Sequence, residues 1–452
     1  MNGAASAPPP PSSQQDSSYK WLVIAMLWFV CFFNYADRQA IFSVFPLFRD
    51  QLHLSNVQLA FVGSAFTWVY ALSGPFAGSL CDRFPRKSLI LGALIFWSLI
   101  TAATALCRSF PELIVCRGLG GLGEAFYFPA AMSLISDYHG PATRSRAMSW
   151  HQSGVYAGTV AGAAISGFVG QYYGWRSSFV LFGGAGIVVG LVLWSFLKES
   201  ARGMCDAPSA ASTRLYAEVS PEEKSSGAKN VIEGFGEVLQ NPLAQLLIVV
   251  FIGANFVAVV FLTWMPTFLH DKFHMSLSMA GLNATVYLQI ASVLGVLSGG
   301  IFADALIRKK PGGRMLAQSI GLLCGVPFVF LTGWIRSISL LIPAMIGFGY
   351  FKGLYDANIF ASLYDVVPFA RRGAAAGVLN SLGWLGAGFA PVTIALAAAH
   401  YGMSASISAT AAIYLLIGLL LLVGVSRQNS QTRPRLTLVS DPARTTASSR
   451  HR

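Results

Sequence analysis

Residues 242–268 read PLAQLLIVVFIGANFVAVVFLTWMPTF, a run without one Asp, Glu, Lys or Arg. A helix rising about 1.5 Å per residue needs about 20 apolar residues to cross the hydrocarbon core of a bilayer. The run therefore predicts a membrane-spanning helix. Similar segments lie near 20–45, 57–80, 88–107, 110–136, 146–170, 177–197, 279–305, 315–335, 338–363, 373–399 and 403–426, which makes twelve in all. They are apolar all round and rich in Gly, as packed membrane helices are, and they lack the alternation of a barrel strand.

The bulk composition agrees. Of 452 residues 54% are hydrophobic and 11% charged, against about 25% charged in an ordinary soluble domain. This excludes a disordered chain, a nucleic-acid reader and an ordinary cytosolic enzyme. The net charge of +12 follows topology. With the N-terminus inside, most Lys and Arg fall on the cytoplasmic side, among them Arg83, Arg86, Lys87, Arg144, Arg308, Arg314, Arg371 and Arg372. Arg49, Arg108, Arg176, Lys272 and Arg336 fall on the other. That asymmetry is the positive-inside pattern, and it predicts both termini in the cytoplasm of a multi-pass protein of the cell (inner or plasma) membrane. Anionic-lipid contact is a secondary consequence.

The six cysteines, Cys31, Cys81, Cys107, Cys116, Cys205 and Cys324, are scattered singly, without metal-ligand spacing or an expected outer pair. The organisation expected is a polar tail at 1–19, six spans over 20–198, a polar cytoplasmic linker at 199–240, six spans over 241–426 and a basic tail at 427–452. Six spans on each side of a linker suggest duplication. After the second span the chain reads Gly78-Ser-Leu-Cys-Asp82-Arg83-Phe-Pro85-Arg86-Lys87, and after the eighth Gly300-Ile-Phe-Ala-Asp304-Ala-Leu-Ile-Arg308-Lys309. Glycine, aspartate and a basic pair recur at the same offsets. A fainter echo joins ATRSRAMSW, at the start of the fifth span, to ARRGAAAGV, at the start of the eleventh.

The 78–87 segment resembles the G-x-x-x-D-R-x-(G/P)-R-(R/K) loop of the major facilitator superfamily. The fold this resemblance implies is all-α, with twelve transmembrane helices in two six-helix bundles around a central cavity and alternating access by rocking of the halves. Gly78 would permit close helix contact. Asp82 would meet a helix N-terminus or an arginine, and with Arg83, Arg86, Lys87, Asp304 and Arg308 would latch the cytoplasmic side.

Ionisable residues at bilayer depth are costly and mark function by default. Six stand out: Asp37 and Arg38 in the first span, Arg117 and Glu124 in the fourth, Lys352 and Asp356 in the tenth. Three acids balance three bases. Arg117 and Glu124 share one helix face two turns apart. Lys352 and Asp356, at i,i+4, can pair within their own helix.

Asn34-Tyr35-Ala36-Asp37-Arg38 and Arg117-Gly-Leu-Gly-Gly-Leu-Gly-Glu124-Ala-Phe-Tyr127 resemble two related branches of the superfamily, the anion:cation symporters and the Spinster-like transporters. The first branch implies proton uptake at Asp37 and Glu124, a substrate carboxylate on Arg38, and Arg117 paired with the acids. It also implies Tyr35, Tyr70 and Asn380 on the cavity wall. Gln152 and Trp384 are further substrate-site candidates. A conformational change that parts Glu124 from Arg117 would tie the proton on the acid to the state of the protein. A static ion network is the plainer alternative for the same residues.

The expected function is secondary active transport, most simply proton-coupled symport of a small organic anion such as a hexuronate- or galactonate-like sugar acid. A Spinster-like carrier or exporter of a lysolipid or other amphiphile is the alternative. An intramembrane enzyme is remote, since no HExxH, GxSxG, Walker-type loop or Cys/His cluster appears. No cofactor, no metal and no nucleic acid are expected. The coupling ion is H+, with Na+ the alternative. The partners are a small-molecule substrate and membrane lipid, and the protein is expected to be monomeric.

Overall fold

The computed structural model describes residues 15–81, 83–200, 236–310, 312–368 and 371–432. These residues form helices and connecting turns, with no strand among them. Before the linker the helices are α1 (Gln15–Ser43), α2 (Phe45–Leu52), α3 (Asn56–Cys81), α4 (Arg86–Thr104), α5 (Phe110–Ala125), α6 (Tyr127–Tyr138), α7 (Pro141–Tyr173) and α8 (Trp175–Phe196). After it come α9 (Pro242–Phe273), α10 (Leu277–Ile307), α11 (Gly313–Trp334) and α12 (Ile338–Asp356). The last four are α13 (Ile359–Val366), α14 (Arg372–Ala387), α15 (Ala390–Ala409) and α16 (Ala411–Thr432).

Among the described residues, nine stretches are long and apolar enough to cross a membrane. The last of these, Arg372–Asn429, is not straight. Gly402 turns it, with a φ of 79° that a residue bearing a Cβ rarely adopts. Large apolar side chains such as Leu72, Phe76, Leu181, Leu294, Ile301 and Leu416 face outward, where lipid rather than water is the natural solvent.

Proline explains three interruptions that a hydropathy reading runs straight through. Its ring clashes with the carbonyl four residues back and it donates no hydrogen bond. Accordingly α5 ends at Ala125, four before Pro129, and α14 ends at Ala387, four before Pro391. The α1–α2 break comes just before Pro46. The break between α12 and α13 has no proline; there Asn358 turns its side-chain amide onto the carbonyls of Gly299 and Leu354, at 3.1 and 3.2 Å.

Before the linker, α1 packs on α7, α3 on α5 and α4 on α8; after it, α10 packs on α12, and α11 on α12 and α16. The two groups meet where α7 crosses α10, α3 meets α14 and α15, and α1 meets α9. The duplication is written in side-chain bonds. Arg86 at the start of α4 pairs with Asp137 at the end of α6, and Arg314 at the start of α11 pairs with Asp365 in α13 at 2.5 Å. Arg144 Nη2 donates to the Ser136 carbonyl at 3.2 Å, and Arg372 Nη2 to the Tyr364 carbonyl at 3.1 Å. From 86 to 314, 137 to 365, 144 to 372 and 136 to 364, the shift is the same 228 residues.

That shift corrects one expectation. Gly78 to Gly300 and Asp82 to Asp304 are 222 apart, so the sequence pattern matched Arg308 to Arg86. The spacing from the motif aspartate to the arginine is six residues longer in the second half, mostly because α10 runs on past Asp304 to Ile307, and the residue that does Arg86's work there is Arg314. Asp304 and Arg308 are both exposed and form no ion pair among the described residues.

Candidate functional site

A cavity of about 240 Å³ lies between the two groups of helices. One wall carries Tyr35 and Arg38 from α1, Phe66 and Tyr70 from α3, Arg117 from α5, and Gln152 and Tyr156 from α7. The facing wall carries Asn255 from α9, Gln289 from α10, Lys352 and Asp356 from α12, and Trp384 from α14. Of the sequence-derived candidates, Asn380 alone among the substrate-site set is not on this wall; it sits half-buried in α14. Gln39, Phe66, Thr67, Thr159 and Gln289 line the cavity without having been singled out. Their residue types are ordinary in membrane helices, and only the packing turns them inward.

The close approach of α5 to α3 builds the centre of the site. A Cβ on Gly121 would lie 2.4 Å from the Phe66 carbonyl oxygen, so only glycine lets the helices come this near. The contact slides the Phe66 ring beneath two cations. The guanidinium carbon of Arg117 lies 4.6 Å from the ring centroid and that of Arg38 lies 5.0 Å away. Arg38 also stacks over Tyr35 at 4.9 Å and Tyr70 at 4.4 Å. Desolvated cation–π contacts of this kind contribute about 2 kcal/mol each, and they leave the N–H edges of the guanidinium for an anion.

The acids stand behind this wall. Glu124 and Asp37 are buried and do not line the cavity. Arg38 Nε donates to Glu124 Oε2 at 2.5 Å. Thr101 Oγ1 donates to Asp37 Oδ2 at 2.6 Å, while Asp37 Oδ1 is buried with no hydrogen-bond partner among the described residues. Arg117 forms neither a hydrogen bond nor an ion pair among the described residues, and its buried Nε has no acceptor. The pairing expected within the fourth span, Arg117 with Glu124, is therefore replaced by a pairing between α1 and α5. The shared helix face sets Arg117 and Glu124 two turns apart, too far to meet, whereas Arg38 on the neighbouring helix reaches across. Lys352 and Asp356 do pair within α12.

One end of the cavity is drawn shut. Arg49 makes a two-pronged bond to Asp271 at 2.8 and 2.9 Å, Gln171 Oε1 accepts from the Ser278 amide at 3.3 Å, and Gln39 donates to the Leu262 carbonyl at 2.8 Å. Backbones touch there too. A Cβ on Gly281 would lie 2.4 Å from the Ala163 carbonyl oxygen.

The chain thus holds a cavity between two repeats, lined by arginine, lysine, aspartate and aromatic side chains, with a latch at one end. Residues 27–391 match the family model of the Major Facilitator Superfamily. The chain belongs to that superfamily. Among relatives of this major facilitator protein, the hexuronate transporter of Bacillus subtilis (strain 168) is 26% identical over 369 residues, 80% of this chain and 83% of the other. The "probable galactarate/D-glucarate transporter GudP" of the same organism is 27% identical over 395 residues, 84% and 85% of the two chains. The fold matches the crystal structure of a bacterial homologue of the human lysosomal transporter Spinster, inward-facing and unoccupied. There the TM-score is 0.74 at 21% identity, covering 94% of this chain and all of that one. The protein is thus a multi-pass membrane transporter of the major facilitator fold.

The superfamily loop behaves differently from expectation in one respect. A Cβ on Gly78 would meet nothing within 4 Å among the described residues, so none of the described helices presses on it. Asp82 lies outside the described residues. Arg83 is exposed. Glu199, just past α8, caps α4 by accepting from the Arg86 and Lys87 amides at 2.9 and 2.7 Å, an anion at a helix N-terminus. The described bonds of Arg86 and Lys87 thus tie α4 to α6 and α8 on the N-terminal side of the linker. Cys107 and Cys116, expected to be single, are in contact, with Sγ atoms 3.6 Å apart. The turn between α4 and α5 folds them together, which spacing alone did not reveal.

Proposed function

We propose that this protein is a proton-coupled symporter of a small organic anion of the sugar-acid class, with twelve spans in two six-helix halves and both termini in the cytoplasm of the cell membrane. The observation that carries the reading is the pair of guanidinium groups, Arg38 and Arg117, stacked on Phe66 at the cavity wall with Glu124 bonded behind Arg38. A carboxylate entering the cavity meets Arg117, which is paired with no acid among the described residues. Protonating Glu124 releases Arg38 to the same ligand, so proton and anion load together. The relatives named for hexuronate and galactarate/D-glucarate transport support the substrate class. With the basic loops inside, the shut Arg49–Asp271 end is the outer side, and the state described here faces the cytoplasm.

The test is uptake into proteoliposomes under an imposed pH gradient, acidic outside, with labelled sugar acids and lysophospholipids in parallel. Concentrative uptake of a sugar acid that collapses with the gradient is expected. Uptake of the lysophospholipid instead, or sugar-acid uptake indifferent to the gradient, contradicts the reading.

A further inference from the structure

Lys352 and Asp356 stand apart from the Arg38–Arg117 wall. They lie on α12, across the cavity from the two guanidinium groups, with Tyr156 of α7 lining the same space. An ion pair at membrane depth is costly, and this one is part-exposed to the cavity, with side chains 20% and 34% accessible, so a ligand can reach it. A pair retained on a cavity wall therefore calls for a ligand. Asp356 is the sole hydrogen-bonding partner of Lys352 among the described residues. An ammonium has three donors and accepts nothing, so two remain for a ligand. Asp356 holds the ammonium over the cavity and cancels its charge while the cavity is empty.

On the reading above, in which a proton on Glu124 frees Arg38, the wall presents Arg38, Arg117 and Lys352 against the single carboxylate of Asp356. The cations are divided, two on one wall and one on the other. A ligand with one carboxylate satisfies one wall and leaves the other facing a hydroxyl. A chain with a carboxylate at each end satisfies both and bridges the two groups of helices. Such a bridge binds unequally to the open and closed states, which is what a ligand must do to shift a conformational equilibrium.

We infer that Lys352 is a second carboxylate anchor, positioned by Asp356, and that the preferred substrate is a linear sugar diacid carrying a carboxylate at both ends. The inference rests on the sugar-acid reading of the cavity and adds to it a residue and a chain length.

The test compares D-glucarate with D-gluconate, which share a six-carbon chain and differ in one terminal carboxylate. Binding of each to the full-length protein in lipid nanodiscs is measured by calorimetry at one fixed pH. The wild type is expected to bind glucarate at least about tenfold more tightly, the order expected of one added charge pair. In the charge-neutral double variant Lys352→Gln/Asp356→Asn, which leaves no stranded ion to unfold the helix, the affinity ratio falls to about one. Lys352→Arg keeps it. A ratio unchanged in the double variant overturns the inference, as does equal loss of both ligands or a wild type without the preference. Failure of every sugar acid to bind the wild type instead overturns the functional reading on which it rests.

Discussion

Arg38 of α1 donates its Nε–H to Glu124 of α5 at 2.5 Å, while Arg117, on Glu124's own helix, has no acidic partner among the described residues. The consequence is a division of labour between two arginines that are close in space. One is committed to an acid and the other is available to an anion. Replacing Arg38 by Gln should leave Glu124 buried and unpaired, at a cost of about 3 kcal/mol or more. A lowered melting temperature in detergent is expected, recovered in Arg38→Gln/Glu124→Gln without recovery of transport. A double variant no more stable than the single one contradicts the pairing.

Thr101 supplies the one hydrogen bond of Asp37 among the described residues. Thr101→Val keeps the shape and removes the donor, so it should destabilise the protein by about 1–3 kcal/mol. Thr101→Ser should retain most of the wild-type melting temperature. Equal behaviour of the Val and Ser variants would show that the bond carries no weight.

The repeat predicts matched effects at Arg86 and Arg314. Reversing the exposed pair as Arg314→Asp/Asp365→Arg should restore uptake lost in either single variant, since both ends of that bond lie near the surface and tolerate exchange. Arg308→Ala, at the position the sequence motif marks, should leave transport near wild type. Loss of uptake in Arg308→Ala, with Arg314→Ala silent, would reverse the assignment.

That contrast marks how far the sequence reading reaches. The helical fold and its apolar segments were plain from 242–268 and its counterparts, because twenty uncharged residues admit few other solutions. The breaks at Ala125 and Ala387 do not show in hydropathy, since apolar character continues through a proline. The six charged residues were found one by one because each is costly in a bilayer. The Lys352–Asp356 pair was legible in its i,i+4 spacing, but whether Arg38 or Arg117 takes Glu124 depends on helix rotation and on the seating of Gly121 against Phe66, neither of which any single segment encodes. Arg314 escapes the motif because six extra residues between the aspartate and the arginine, most of them from the longer run of α10, move the repeat out of register.

The shut end predicts a conformational handle. Gly281 touches the Ala163 carbonyl through backbone contact, so Gly281→Val must force α10 from α7. The Arg49–Asp271 bond is partly exposed and contributes at most about 1 kcal/mol, too little to resist the wedge. Spin labels at Gln51 and Met279 should report a longer distance in Gly281→Val than in wild type. An unchanged distance contradicts the closure described.

Cys107 and Cys116 have sulfurs 3.6 Å apart, and bond formation needs their approach to about 2.05 Å. Treatment of the detergent-solubilised protein with copper phenanthroline should link them within one chain, seen as a disulfide-joined peptide pair by mass spectrometry. Full alkylation of both thiols after that treatment would place them farther apart.

The central claim is that Glu124 carries the proton that drives accumulation. Glu124→Gln reconstituted in proteoliposomes measures it most directly, with sugar-acid exchange at equal pH and net uptake under a pH gradient followed in the same vesicles. Exchange should be retained and gradient-driven accumulation lost. Undiminished concentrative uptake in Glu124→Gln would contradict it.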